Sequence, residues 1–283
     1  MNTIPVSVLV LTRNEEQDLP GCLESITWSD DIHLFDSRST DRTHEIARSF
    51  NCTITERTFD NWSAHQNWGL QNLPFKYPWV FYIDADERVS PELARQIALA
   101  VDTPGDAVAF RVVRRDFFLG THLRYVQTSS KYIRLFKPQN IRYERLVNPV
   151  TKVDGHVGDI EVGHDQAYLD HYPFSKGIDF WFERHNKYSR LEADQIVSDR
   201  NNGTRFNLLS VLFEKDFNKR RWHQKELFYR LPFRPAIKFF ILYILKRGFL
   251  DGKAGWLYAY LQATYERMIV AKQLEMQHQK DRR

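Results

Sequence analysis

Two cysteines in 283 residues are too few for a disulfide framework. Cys22 falls in a helical pattern and Cys52 enters a strand pattern, which suits a reducing compartment. Long apolar runs are also missing: the longest, Phe239 to Leu245, is far below the roughly 20 residues that span a bilayer. No basic cluster precedes an apolar stretch at the start. Met1-Asn2-Thr3-Ile4-Pro5 leads into Val6 to Leu11, which ends in Thr12-Arg13-Asn14-Glu15 and reads as a buried strand rather than a targeting peptide. Neither glycine-rich phosphate loop occurs, which weighs against a P-loop enzyme and a dinucleotide dehydrogenase. A net charge of +4 does not by itself imply nucleic acid as a partner. What is present is an ordinary globular balance, 42% hydrophobic and 27% charged, which argues against disorder. The length allows one large domain, or a domain with an appendage. With 20 Phe, 13 Tyr and 7 Trp, sugar-stacking and membrane-interface roles both stay open.

Along the first half, strand and helix patterns alternate. Val6 to Thr12 reads as a central strand, and Leu19, Leu23 and Ile26 follow at helical spacing. Asp31 to Phe35 is a second strand ending at Asp36. Ser39-Thr40-Asp41 then caps a helix carrying Ile46, Ala47 and Phe50. Thr53 to Glu56 is a short strand, Ala64 to Asn72 is helical, and Trp79 to Ile83 runs straight into Asp84-Ala85-Asp86-Glu87. Ser90-Pro91-Glu92 opens a helix through Ala100, with proline at the first helical position. The alternation predicts an α/β fold, a mostly parallel sheet with helices on both faces.

Open α/β sheets bind ligands at the carboxyl ends of their strands. Three such ends are polar here: Thr12 to Glu15, Asp36 to Asp41, and Asp84-Ala85-Asp86. Residues two apart in an extended chain point the same way, so Asp84 and Asp86 are expected to face one ligand. Close carboxylates repel unless a cation lies between them. Mg²⁺ or Mn²⁺, held by one or two carboxylates and substrate phosphates, fits that need. A nucleotide-type substrate is the first expectation. Taken singly, the same acids also suit a solvated strand end and, for Asp36, a turn or helix cap.

Together these residues resemble the family 2 glycosyltransferases of GT-A fold. The resemblance rests on Val6 to Glu15, Phe35 to Thr43, His65-Gln66-Asn67-Trp68-Gly69-Leu70 and Ile83 to Glu87. Further on, Tyr132 to Lys137, Val153-Asp154-Gly155, Arg184 to Ser189 and Gly248 to Gly252 look like the branch that builds lipopolysaccharide core, colanic-acid-like and other bacterial surface polysaccharides. The resemblance implies that Thr12, Arg13, Asn14, Glu15 and Ser37 line a nucleotide pocket and that Asp36 accepts a hydrogen bond from the base. Gln66 would stand near the diphosphate. Asp84 would contact the ribose or the metal, and Asp86 would ligate the metal and act in catalysis. It further implies an inverting transfer from a nucleotide-diphosphate sugar, preferably UDP-linked, to a lipopolysaccharide, lipid-linked or other surface-glycan acceptor.

An inverting transferase needs a group that takes the acceptor hydroxyl's proton. Relatives place an acid after a Val-His or Val-Asn pair, where this chain has Leu146-Val147-Asn148-Pro149. Glu144, Asp154 and Glu87 are the candidates left, set against readings as a surface strand residue and, for Asp154-Gly155, a turn. Arg134 suits either a phosphate contact or a half-buried strand. His156, His164, His171 and His185 do not follow a zinc spacing. His171 and His185 are read as structural or as near the acceptor, and Trp62, Trp68 and Trp79 as core or cleft wall.

From about Ser175 the pattern turns helical, with a break at Asn201-Asn202-Gly203. Residues 1–225 are expected to form the catalytic domain, the nucleotide half over about 1–120 and the acceptor half over about 121–225. Residues 226–283 are expected to form a helical extension. Within it Ala236 to Arg247 is apolar on nearly every side and basic at its end, and Leu257, Leu261, Thr264, Met268 and Ala271 form a stripe. Such a segment suits either a helical cap or a contact with the membrane surface through Phe239, Phe240, Trp256 and Tyr258, and so a place on the cytoplasmic side of the bacterial inner membrane. The rival functional readings are a nucleotide-sugar-binding protein without transfer activity and a sugar nucleotidyltransferase.

Overall fold

The structure, a computed structural model, describes residues 3–144, 150–163, 166–201 and 206–282. Its strands in chain order are β1 (Ser7–Thr12), β2 (Ile32–Asp36), β3 (Thr53–Glu56), β4 (Val80–Asp84), β5 (Glu87–Val89) and β6 (Ala107–Phe118), then β7 (Thr121–His122), β8 (Ser130–Phe136), β9 (Ile141–Glu144), β10 (Val150–Val153), β11 (His156–Asp159) and β12 (Tyr168–His171). The helices are α1 (Leu19–Ser25), α2 (Thr43–Ser49), α3 (Trp62–Asn72), α4 (Pro91–Asp102), α5 (Gly177–Asn201), α6 (Ser210–Phe213), α7 (Phe217–Arg230), α8 (Arg234–Phe240) and α9 (Gly252–Asp281). Two compact units result: Met1–Phe117 with Ser129–Ser175, and Phe118–Thr128 with Lys176–Arg283. The boundary expected near residue 225 is displaced to Ser175. The reason is that α5 belongs with the later helices, its Ala193 and Ile196 packing against Ile269 of α9.

In the first unit the sheet order is β3-β2-β1-β4-β8-β6-β12-β5. β3, β2, β1 and β4 are mutually parallel, as the strand–helix alternation predicts. Their side chains split between two cores. Val8, Val10, Phe81 and Ile83 meet Leu19, Leu23, Leu93 and Ile97 of α1 and α4 on one face. Leu9, Phe35, Val80 and Tyr82 meet Leu70 and Leu73, in α3 and just past its end, on the other. β1, β2 and β4, buried on both faces, read as continuous apolar runs, which is why they were legible. The helix starts follow local chemistry: Asn61 accepts from the Ala64 amide at 2.9 Å and Ser90 from the Leu93 amide at 3.1 Å. β8 enters antiparallel between β4 and β6.

β5 follows β4 after only Ala85 and Asp86, yet it stands at the far end of the strand order. Two linking residues let the strand ends stand at most about 10 Å apart. β8, β6 and β12 therefore curl until the last strand comes back to the end of β4.

In the second unit the buried face of α9 includes Ala259, Leu261, Ala263, Glu266, Ile269 and Gln273; of the expected stripe only Leu261 is fully buried, and Ala271 is exposed. Hydropathy alone misses it because two members are polar. Gln273 accepts from Arg234 Nη2 at 3.0 Å, and Glu266 lies 3.9 Å from the same guanidinium. Among the described residues no helix is long and apolar enough to cross a membrane.

Candidate active site

The register brings the polar strand ends to one edge: Thr12 lies beside Asp36, Asp36 beside Glu56, and Leu11 beside Asp84. The pleat then divides them. Asp36 follows Phe35 and points with Leu34 toward α2, whereas Asp84 follows Ile83 and points with Tyr82 toward α3. The edge therefore carries two polar clusters on opposite faces, not one.

The first cluster organises a loop. Asp36 is fully buried, and its carboxylate accepts from Thr12 Oγ1 (2.7 Å), the Ser39 amide (2.7 Å), Ser39 Oγ (2.6 Å) and His44 Nε2 (2.9 Å). Burial works against its charge, but the bonds from Ser39, Thr12 and His44 outweigh that and hold it below the usual carboxylate range. Asn14, at φ 57, takes a conformation asparagine tolerates; its side-chain Oδ1 accepts from the Thr40 amide at 2.8 Å, and its backbone amide donates to Ser39 Oγ at 2.8 Å. The Glu15 amide donates to Thr43 Oγ1 at 2.8 Å, and Ser37 Oγ lies 3.3 Å from His65 Nε2. Arg13 is exposed. His44 escaped the sequence argument because a histidine inside a helix gives no signal of its target.

The second cluster surrounds the acids at the end of β4. Asp84 accepts from Tyr82 Oη at 2.6 Å and from Arg134 Nη2 at 2.8 Å, and Arg134 also donates to Glu87 at 2.6 Å. The Arg134 guanidinium lies over the Tyr82 ring, 4.5 Å from its centroid. Burial raises the Glu87 carboxyl against Arg134; for Asp84, Arg134 and Tyr82 overcome burial and lower it. Arg114 approaches Glu87 at 3.6 Å and Asp116 at 3.2 Å. Across the strands His171 stands beside Asp116 on one side and Glu87 on the other. Its Nδ1 donates to Asp116 Oδ1 at 2.5 Å, since a carboxylate only accepts, and its Nε2 lies 3.4 Å from Asp86 Oδ2. Burial disfavours the imidazolium, but Asp116 and Asp86 overcome this and lift it to about 9.

The strand alternation used to pair Asp84 with Asp86 ends one residue too soon. β4 stops at Asp84, and Ala85-Asp86 turn the chain into β5, so Asp86 meets His171 while Asp84 meets Arg134. Asp116 and Arg114 went unnoticed because β6 carries them near the end of a long strand without a turn signal. His171 was findable: it ends a short strand, the position that drew attention to Asp36 and Asp84.

Gln66 is buried on α3, its Nε2 donating to Tyr82 Oη at 3.4 Å, so one phenol separates it from Asp84. Glu144 and Asp154 are exposed. Glu144 pairs with Val150 at one end of the β9–β10 ladder, and Asp154 lies just past Val153 at the other. With about 3.4 Å per residue, they cannot both reach one acceptor hydroxyl. Leu146 to Pro149 and His164 lie outside the described residues. His185 stacks on Trp181 at 3.9 Å within the second unit, and Trp79 is buried in the core.

Residues 7–157, more than half of the chain, match the family described as Glycosyl transferase family 2, and the chain belongs to that family. It is 26% identical over 276 residues to the lipopolysaccharide core biosynthesis glycosyltransferase LpsC of Rhizobium meliloti (strain 1021), covering 92% of this chain and 91% of the relative. It is 24% identical over 231 residues to the uncharacterized glycosyltransferase RT0209 of Rickettsia typhi (strain ATCC VR-144 / Wilmington), 77% of each chain. Among solved structures, S. aureus TarS 1–349 in complex with UDP-GlcNAc is 14% identical, with 96% of this chain and 93% of that chain covered at a TM-score of 0.43, a likeness too slight to bear on the site.

Proposed function

We propose that this family 2 glycosyltransferase is inverting and dependent on Mg²⁺ or Mn²⁺, and moves a sugar from a UDP-linked donor to a lipopolysaccharide, lipid-linked or other surface-glycan acceptor. The observation that carries the metal reading is the approach of Asp86 Oδ2 to His171 Nε2, 3.4 Å apart. Asp86 and His171 would hold the ion, together with donor phosphates and water. Asp116 completes the fit by holding Nδ1–H, which leaves Nε2 to offer its lone pair once the ring is neutral. Asp84 is the second carboxylate at the edge; with Arg134 and Tyr82 already on it, it is better suited to orienting the donor. A bound divalent ion would stabilise the departing nucleoside diphosphate.

Thr12, Arg13, Asn14, Glu15, Asp36 and Ser37 shape the nucleotide side. In this reading Asp36 acts through the loop it ties together, since its oxygens are already engaged by Thr12, Ser39 and His44. Gln66 steadies Tyr82 and through it Asp84. Glu144 and Asp154, both exposed, are the carboxylates open to an acceptor hydroxyl and are kept as the alternative proton acceptors. Glu87 is the least suited, being fully buried and held by Arg134. The similarity to LpsC supports a surface-glycan acceptor, and the reading extends to a place at the cytoplasmic face of the bacterial inner membrane, with lipid rather than nucleic acid as the partner.

The test is a thermal-shift panel of nucleoside diphosphates and nucleotide sugars with and without Mn²⁺, together with release of free nucleoside diphosphate. Binding that needs Mn²⁺ and turnover to free diphosphate are expected. Asp86→Asn should lower turnover by on the order of a hundredfold or more. Undiminished turnover removes Asp86 from the mechanism, and binding without any release favours a binding protein that does not transfer.

A further inference from the structure

We propose that residues 238–256 are a docking surface for an anionic lipid bilayer; the lipid partner deepens the surface-glycan reading above, while the geometry stands independently of it. α8 runs into a π-helical turn (Ile241–Leu245), Arg247 takes a left-handed conformation at φ 60, and a 3₁₀ turn (Gly248–Asp251) leads into α9. The turn is drawn tight. A Cβ on Gly248 would lie 2.7 Å from Leu242 O, and one on Gly255 would lie 2.0 Å from Gly248 O, so only glycine allows these approaches. Asp251, the one acid of the segment, faces inward and accepts from the amides of Arg124 (3.0 Å), Tyr125 (3.0 Å) and Val126 (2.8 Å).

What is left facing outward is apolar and cationic. Leu245 is 64% exposed, Leu250 52% and Phe249 46%, with Phe240, Ile244 and Trp256 also exposed. Phe239 and Tyr258, expected at the surface, are half-buried, and Tyr258 Oη donates to Gln127 at 2.9 Å. Lys246, Arg247 and Lys253 are exposed and Lys238 is half-buried; among the described residues none of the four has a carboxylate within 4.0 Å. Burial, then Lys238, lower the Lys246 ammonium from its ordinary value.

Apolar tips rising between cations that lack a close carboxylate match a bilayer interface, where lipid phosphates meet the charges and the tips enter the acyl boundary. A second copy fits badly. A two-fold contact sets a patch against itself and would press these cations together.

The full-length protein should sediment with phosphatidylcholine vesicles that contain phosphatidylglycerol, not with phosphatidylcholine alone, and added salt should weaken the binding. Phe249→Asp with Leu250→Asp, and separately Lys246→Glu with Arg247→Glu, should each lower partitioning at least about tenfold. Melting temperature and donor hydrolysis in solution should stay unchanged. Absence of wild-type binding to the anionic vesicles overturns the proposal, as does undiminished binding by both double variants. A lipid-independent dimer that the variants dissolve assigns the face to a second copy. If donor hydrolysis is missing from the wild type while lipid binding holds, the functional reading fails and the docking surface stands.

Discussion

Asp116 touches no candidate substrate position, yet it fixes which nitrogen of His171 faces Asp86. A partner behind a metal-ligating imidazole is worth about 10–100-fold in metal affinity. Asp116→Asn is therefore expected to weaken Mn²⁺ binding by that factor, measured by metal titration of turnover, while the donor KM at saturating metal changes little. An unchanged metal titration would detach Asp116 from the site. At this scale the sequence was half legible. Thr12, Asp36 and Asp84 stand out as polar ends of apolar strands. Their partners do not: Arg134 lies 50 residues from Asp84 and Asp116 lies 55 from His171, and only the insertion of β8 and the curl to β12 brings them together.

Helix α3 carries a pH-sensitive contact. His65 stacks on Phe35 of β2 with ring centroids 4.1 Å apart, and its Nδ1 accepts from Arg57 Nη1 at 3.1 Å, which leaves Nε2–H for Ser37. Burial, then Arg57, push the imidazole from 6.5 down to about 4. Over that interval the unfolded chain takes up a proton that the folded chain refuses, so this contribution is complete above about 6.5 and is lost as the pH falls toward 4. His65→Gln should flatten the acid side of the stability profile, by up to about 3 kcal/mol between the two limits, read from urea melts across pH. An identical slope in both proteins would show that His65 is not its source. The helices and parallel strands were legible because caps, proline positions and two-sided apolar runs are local signals. Strand readings were offered around Arg134 and Glu144, but where β8, β9 and β12 pair was not legible, since an antiparallel insertion and a short ladder are decided by distant partners.

For the whole chain, the division at Ser175 changes what truncation does. Ending the protein at residue 231 removes α9, the cover over Ala193 and Ile196 of α5. It also removes Gln273 and Glu266, the partners of the buried Arg234 side chain deleted with them. Such a truncation is expected to expose the apolar face of α5 and aggregate, seen as void-volume elution in size exclusion. A monodisperse product would mean that α5 needs no cover. The change of pattern at Ser175 was legible, but not that it marks the unit boundary, because composition does not say which core a helix joins. In the first unit, the two-residue link between β4 and β5 has a consequence for motion. Asp86 is stitched on both sides, by strand β5 that follows it and by the Tyr172 amide, which donates to the Asp86 carbonyl at 2.9 Å. It is a peg rather than a flap. Whatever yields when a bulky sugar arrives must be some other piece of the cleft, and this corner serves as the fixed point against which it moves.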